Sequence, residues 1–193
     1  MDLYPDKVVV GLTGGIASGK TLALGFFEKH GWHAISTDKL ASNVLEEEKI
    51  VIDAIEDRWG LDQGNIDKSK IAQIIFNDPE ERSWLENLIH PIVRARWVSL
   101  IHQSSLRYHV VEIPLLFEKK LSSHFYKTIS VFAPVTIQIS RLISRGLSFE
   151  EATLRLEAQA SNAEKAALAD YVLLGSGSSE FYRSQVLSLI CKF

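Results

Sequence analysis

One cysteine, Cys191, stands in a chain of 193 residues. A lone cysteine excludes an internal disulfide. Its place on the expected last helix suits a small apolar residue better than a reactive thiol. No apolar run approaches the roughly 18 residues that span a bilayer, so no membrane partner is expected. Residues 1–7, Met-Asp-Leu-Tyr-Pro-Asp-Lys, have neither the basic start nor the small-residue cleavage site of a signal peptide. Clustered Lys and Arg are missing, and the net charge is −3. Nucleic acid is therefore not expected as a partner, because phosphate-backbone contacts need grouped cations. His30, His33, His102, His109 and His124 lack metal-ligand spacing. No nucleophile–histidine–acid set is visible, and there are no repeats or low-complexity segments. What remains is an ordinary cytoplasmic composition, 46% hydrophobic and 23% charged, long enough for one good core and a small insertion.

Against that background, Gly14-Gly15-Ile16-Ala17-Ser18-Gly19-Lys20-Thr21 stands out. It fits the phosphate-loop pattern of Gly, four residues, Gly, Lys, and Ser or Thr. Its context fits too. A β-branched run, Val8 to Thr13, precedes it, and a helix-like stretch from Thr21 to His30 follows. A strand feeding a Gly-rich turn into a helix start brings backbone N–H groups and a helix dipole to one point. Gly14 and Gly19 allow positive φ and close approach of a phosphate. Lys20 is placed to reach the β/γ-phosphates of ATP, and the Thr21 hydroxyl to ligate Mg²⁺.

Short β-rich runs alternate with longer helical ones along the chain. Strands are expected at 8–12, 33–36, 108–113, 128–132 and 171–174. Boundary signals lie between them. Asp78-Pro79-Glu80-Glu81 opens a helix with proline in its first turn. Ser148-Phe149-Glu150-Glu151 and Ser161-Asn162-Ala163-Glu164 both match the capping box. Pro134 suits another helix start. Strands separated by helices make an α/β fold: a parallel five-stranded sheet flanked by helices, with ligands at the carboxyl ends of the strands. Residues 50–105 carry no strand signal. They read as a helical insertion that binds a second substrate, between core segments 1–49 and 106–193.

Other residues at the expected cleft carry candidate chemistry. Asp38 follows the second strand. A carboxylate there can take a proton from an attacking hydroxyl or help hold Mg²⁺; it can equally be a first-turn acid favoured by the helix dipole. Arg141 and Arg145 lie four apart on one expected helix face, beside a helical hairpin over 139–159 that also carries Arg155. They read as a lid closing on phosphates or as a solvated basic face paired with Glu150, Glu151 and Glu157. Glu112 ends a buried run and is either a Mg²⁺-linked acid or a strand-end charge. His90-Pro91 ends an apolar stretch, 84–89, as a turn. The apolar Pro114-Leu115-Leu116-Phe117 ahead of Glu118 packs either on a ligand or in the core.

Taken together these segments resemble the dephospho-coenzyme A kinase family, nearly end to end from Val8 to Val186. The resemblance is carried by residues 11–21, Asp38 with Ala41, Ile89-His90-Pro91, Pro114 to Glu118, Arg141 with Arg145, Arg155 with Gln159, Glu164-Lys165, and Ala169 to Val172. It implies a phosphate-loop kinase with a helical coenzyme-binding domain and a lid. It implies transfer of the ATP γ-phosphate to the ribose 3′-hydroxyl of dephospho-CoA with Mg²⁺. It makes Asp38 the catalytic base with Lys20 beside it, Gly14–Thr21, Arg141 and Arg145 the ATP contacts, and Thr21 with Asp38 the Mg²⁺ side. It assigns His90, Pro91, Pro114, Leu115, Phe117 and Glu118 to the coenzyme surface, and it fixes no acid at Glu112. The chain departs from the family at Ser36, where an acid is usual, and at Ser42, where an arginine is usual. It departs also at Ala17, and at Gly175-Ser176-Gly177, where Asn-x-Gly is usual. A kinase with a different small-molecule or nucleoside acceptor, and a non-catalytic ATP- or CoA-binding relative, remain as alternatives.

Overall fold

The computed structural model describes residues 4–60 and 67–193. Residues 1–3 of the N-terminal reading and 61–66 of the helical-insertion reading lie outside the described residues. The chain divides into two compact units, residues 1–36 with 104–193, and residues 37–103.

The first unit is built on five parallel strands in the order β2-β3-β1-β4-β5. These are β1 (Val8–Gly14), β2 (His33–Ser36), β3 (Tyr108–Glu112), β4 (Lys127–Phe132) and β5 (Tyr171–Leu174). Each falls on an expected run, within two residues at either end. Val9, Val10 and Leu12 of β1 are all buried, as a central strand covered on both faces requires. In register, Leu12 pairs with Glu112, Ser36 with Glu112, and Phe132 with Leu174. The strands therefore end along one edge, where the next loops leave. Val10, Leu12, Ile129 and Val131 pack on Ala23, Phe26 and Phe27 of α1 (Lys20–Lys29). Tyr182, Val186 and Leu189 of α9 (Ser179–Ile190) join the same cluster. Also in this unit are α6 (Val135–Ile143), α7 (Phe149–Glu157) and α8 (Asn162–Leu168). Both expected capping boxes form. Ser148 and Ser161 each accept the backbone N–H three residues on, and Glu151 and Glu164 each accept the cap's own N–H.

Two motifs at the opposite, amino edge of the sheet are structural. Asp170 accepts from Lys127 Nζ (2.8 Å), Thr128 N (2.8 Å) and Thr128 Oγ1 (2.9 Å), tying the start of β4 to that of β5. His33 and His109 are register partners, with their Nδ1 atoms 3.2 Å apart. His109 Nε2 lies 2.9 Å from Leu106 O, which assigns its proton there and leaves Nδ1 to accept from His33. Burial, and then Lys7, hold His33 below the usual histidine range. Burial, then His33 and Lys7, outweigh the bond to Leu106 and do the same to His109. A depressed base favours its neutral form in the fold. That stability is complete above the ordinary value of 6.5 and is lost as pH falls through the folded value. We expect a thermal midpoint that is level above about pH 7 and declines below about 6.5, less steeply in His33→Asn. A midpoint that rises on acidification would contradict this.

The second unit is helical: α2 (Thr37–Glu47), α3 (Lys49–Trp59), α4 (Lys68–Asn77) and α5 (Pro79–Gln103). Its boundary lies at residue 37, so α2, which the sequence places with the core, clusters with the helical unit. His90-Pro91 does not end a helix. α5 runs 25 residues straight through Pro91. Leu85, Ile89, Val93, Trp97 and Ile101 form one buried stripe at spacing four. A helix-interior proline costs about 3 kcal/mol. Five buried side chains at roughly 1.5–3 kcal/mol each outweigh it. Arg58 binds Glu81 in two-pronged fashion (2.6 and 2.9 Å), and Trp59 Nε1 donates to the same carboxylate (2.7 Å).

Candidate active site

β1 ends at Gly14 and α1 begins at Lys20, so residues 15–19 form the turn between them. Gly19 caps α1 in the left-handed region, φ +114°, and no side chain accepts at that cap. The positive end of the helix is thus left to an external anion. Lys20 Nζ donates to Gly14 O and Gly15 O, both at 3.0 Å, and lies folded along the loop. Thr21 is exposed on the first turn. Its hydroxyl is a hard oxygen donor of the kind Mg²⁺ takes, one of the few protein ligands that ion needs when phosphates supply the rest.

The loop is held from outside by four side chains, of which the sequence reading singled out Arg141 alone. Gln138 Nε2 donates to Ile16 O (2.5 Å), and Gly15 N donates to Asn162 Oδ1 (2.5 Å). Tyr182 Oη donates to Gly19 O (3.1 Å). Burial, against the favourable charge of Arg141, pushes the Tyr182 phenol far above its ordinary pKa, so it stays a donor. Arg141 donates to Ala17 O (2.9 Å), Ser18 O (3.1 Å) and Gly175 O (2.6 Å). The departure at Gly175 has a steric reason. A Cβ there would lie 1.9 Å from Ser18 O, so only glycine lets this turn sit against the loop. Buried polar residues on α6 and at the start of α8 were the available signal, but both lay inside ordinary helix patterns.

Ala17 takes φ +57°. Left-handed backbone costs about 1–2 kcal/mol for a residue with Cβ. Its methyl is buried with Leu142 and Ala152, worth about 0.8 kcal/mol. Alanine also saves about 0.4–1 kcal/mol of unfolded-chain entropy relative to glycine. The terms nearly cancel. Ala17→Gly should leave stability within about 1 kcal/mol of the parent in denaturant unfolding. A larger loss would mean that packing at the methyl dominates the strain.

The remaining predicted residues fall in several places. Arg141 lies on α6, but Arg145 stands two residues beyond the end of that helix and is exposed. The shared helical face expected for the pair therefore does not form, because the helix stops at Ile143. Pro114, Leu115 and Phe117 are half-buried in the turn after β3, with Leu116 fully buried. Pro114 O accepts from Thr13 Oγ1 (3.1 Å) and Lys165 Nζ (2.6 Å). Glu118 pairs with the fully buried Lys165 (2.9 Å) and accepts from Ala160 N (3.2 Å), so its carboxylate already carries structural partners. Glu112 is buried at the end of β3.

Within the helical unit, Asp38 is the second residue of α2, two beyond Ser36 at the carboxyl edge of the sheet. Ser42, one turn on, accepts from Lys68 Nζ, which also pairs with Glu46. The cation on this part of α2 thus comes from α4. His90 is half-buried and Pro91 exposed, both within α5. No described helix is long and apolar enough to cross a membrane.

Residues 8–180 match the family model for dephospho-CoA kinase. A dephospho-CoA kinase from Trichormus variabilis is 37% identical over 92% of this chain and 94% of its own length. One from Coxiella burnetii is 33% identical, covering 95% and 96%. Among solved structures, a dephospho-CoA kinase from Campylobacter jejuni superposes with a TM-score of 0.67 at 27% identity, covering 97% of each chain.

Proposed function

The chain belongs to the dephospho-CoA kinase family, and on that premise we propose how its residues divide the work. The enzyme phosphorylates dephospho-CoA with ATP, giving CoA and ADP, the last step of coenzyme A synthesis. The observation that carries the division is the turn from β1 into α1, capped by Gly19 with Lys20 lying along it. The triphosphate of ATP occupies this turn, with loop N–H groups and the helix dipole as its cradle. Lys20 leaves Gly14 O and Gly15 O for the phosphates and offsets charge on the transferring group. Thr21 and Asp38 hold the Mg²⁺ side of the site, where the ion, when bound, neutralises phosphate charge. Asp38 accepts the proton of the ribose 3′-hydroxyl as its oxygen attacks the γ-phosphorus and the bond to the ADP oxygen breaks.

Arg141 is already fixed on the loop carbonyls, so it sets loop shape as well as charge. Arg145, Arg155 and the hairpin 139–159 form the mobile lid over the phosphates. The helical unit, with His90 and Pro91, and the turn 114–118 bind the coenzyme. Glu118 serves there by fixing the turn through Lys165. The test is ADP release with ATP, Mg²⁺ and dephospho-CoA, against the same mixture without acceptor. Acceptor-dependent release supports the reading. Release only with a different hydroxyl acceptor would replace dephospho-CoA, and no release with any acceptor would leave an ATP-binding protein.

A further inference from the structure

Two buried amides close on the phosphate loop from opposite ends of the expected lid. Gln138, on α6, is 1% exposed, and Asn162, the first residue of α8, is 8% exposed. The hairpin over 139–159 lies between them in the chain. Asn162 bridges two segments: its Oδ1 accepts from Gly15 N (2.5 Å) and its Nδ2 donates to Ala133 O (2.9 Å), just after β4. Gln138 Nε2 donates to the next carbonyl of the loop, Ile16 O, at 2.5 Å. The contact leaves no slack. A Cβ on Gly15 would lie 2.3 Å from Asn162 Oδ1 and 2.7 Å from Gln138 Nε2. The aim of Asn162 is itself fixed, because the Ser161–Glu164 capping box immobilises the start of α8.

We infer that Asn162 and Gln138 are positioning residues for the phosphate donor, holding Gly15 N–H and Ile16 C=O so that the rest of the loop is preset for a triphosphate. The physical reason is preorganisation. Five loop residues with two glycines have many conformers, and a cradle held before binding spends less affinity on ordering. Gly15 N–H is committed to Asn162, so the cradle is completed by donors further along the loop. The same two bonds seat both roots of the lid hairpin on the loop, so its ends stay fixed whatever its middle does.

The inference rests on the phosphate-loop reading, so the test measures nucleotide binding with no acceptor present. The probe is a fluorescent ATP analogue with Mg²⁺, on the full chain. Asn162→Ala and Gln138→Leu should each weaken analogue binding about tenfold, the scale of losing one buried hydrogen bond that shapes a site. In turnover, KM for ATP should rise about tenfold while KM for dephospho-CoA stays within about twofold. A double-mutant cycle adds a readout that general destabilisation would not move. Gly15→Ala should cost about tenfold less binding in the Asn162→Ala background than in the parent, because the 2.3 Å clash is gone. Thermal unfolding establishes that each variant is folded. Should Asn162→Ala not fold, Asn162→Ser and Gln138→Leu carry the test. Parent-like analogue affinity in folded variants, or an additive cycle, overturns the inference. Absence of analogue binding by the parent chain overturns the phosphate-loop reading along with it.

Discussion

Asp38→Asn should lower kcat by about 10²–10⁴ with little change in KM for either substrate. The substitution keeps shape and polarity at the second position of α2. It removes the only property the proton transfer requires, an oxygen basic enough to accept from the 3′-hydroxyl. It also lowers negative charge on the Mg²⁺ side, which works in the same direction. Steady-state turnover against each substrate separates the two effects. If kcat holds within a few-fold while KM rises, Asp38 binds and does not act as the base.

Lys20→Ala should reduce kcat by about 10²–10³, the usual cost of removing one charge aimed at a developing anion. Its ammonium donates to two carbonyls of the loop, Gly14 O and Gly15 O, and lies where the phosphates are expected. The comparison requires a variant that still folds. Circular dichroism and the thermal midpoint establish that. Turnover close to that of the parent in a folded Lys20→Ala protein would remove the loop from the phosphate-binding role.

The sheet was legible because each strand is a short β-branched or apolar run bounded by turn residues, and the sheet's centre buries both faces of β1. The loop was legible because its chemistry is local: eight consecutive residues carry the glycines, the lysine and the hydroxyl. The stop expected at Pro91 was not, because a local breaker signal cannot weigh the stripe from Leu85 to Ile101 that carries the helix past it. The shared face of Arg141 and Arg145 failed on a helix end that falls two residues early. Asn162, Gln138, Tyr182 and Gly175 were illegible for a different reason. Their partners on the phosphate loop lie more than one hundred residues away in sequence, so no local pattern reports the contact. Lys165 is the extreme case. Nothing in a helix-forming Glu-Lys pair announces a lysine with no exposure, held by Pro114 O and Glu118.

The central claim is that one phosphoryl group passes from ATP to the ribose 3′-hydroxyl of dephospho-CoA. The most direct test is phosphorus NMR of the product formed from ATP, Mg²⁺, dephospho-CoA and the purified protein. The account predicts a new phosphomonoester coupled to the ribose 3′ proton, appearing in step with ADP and absent with Asp38→Asn on the same timescale. ADP formed without that resonance, or a phosphomonoester at another hydroxyl, would contradict it.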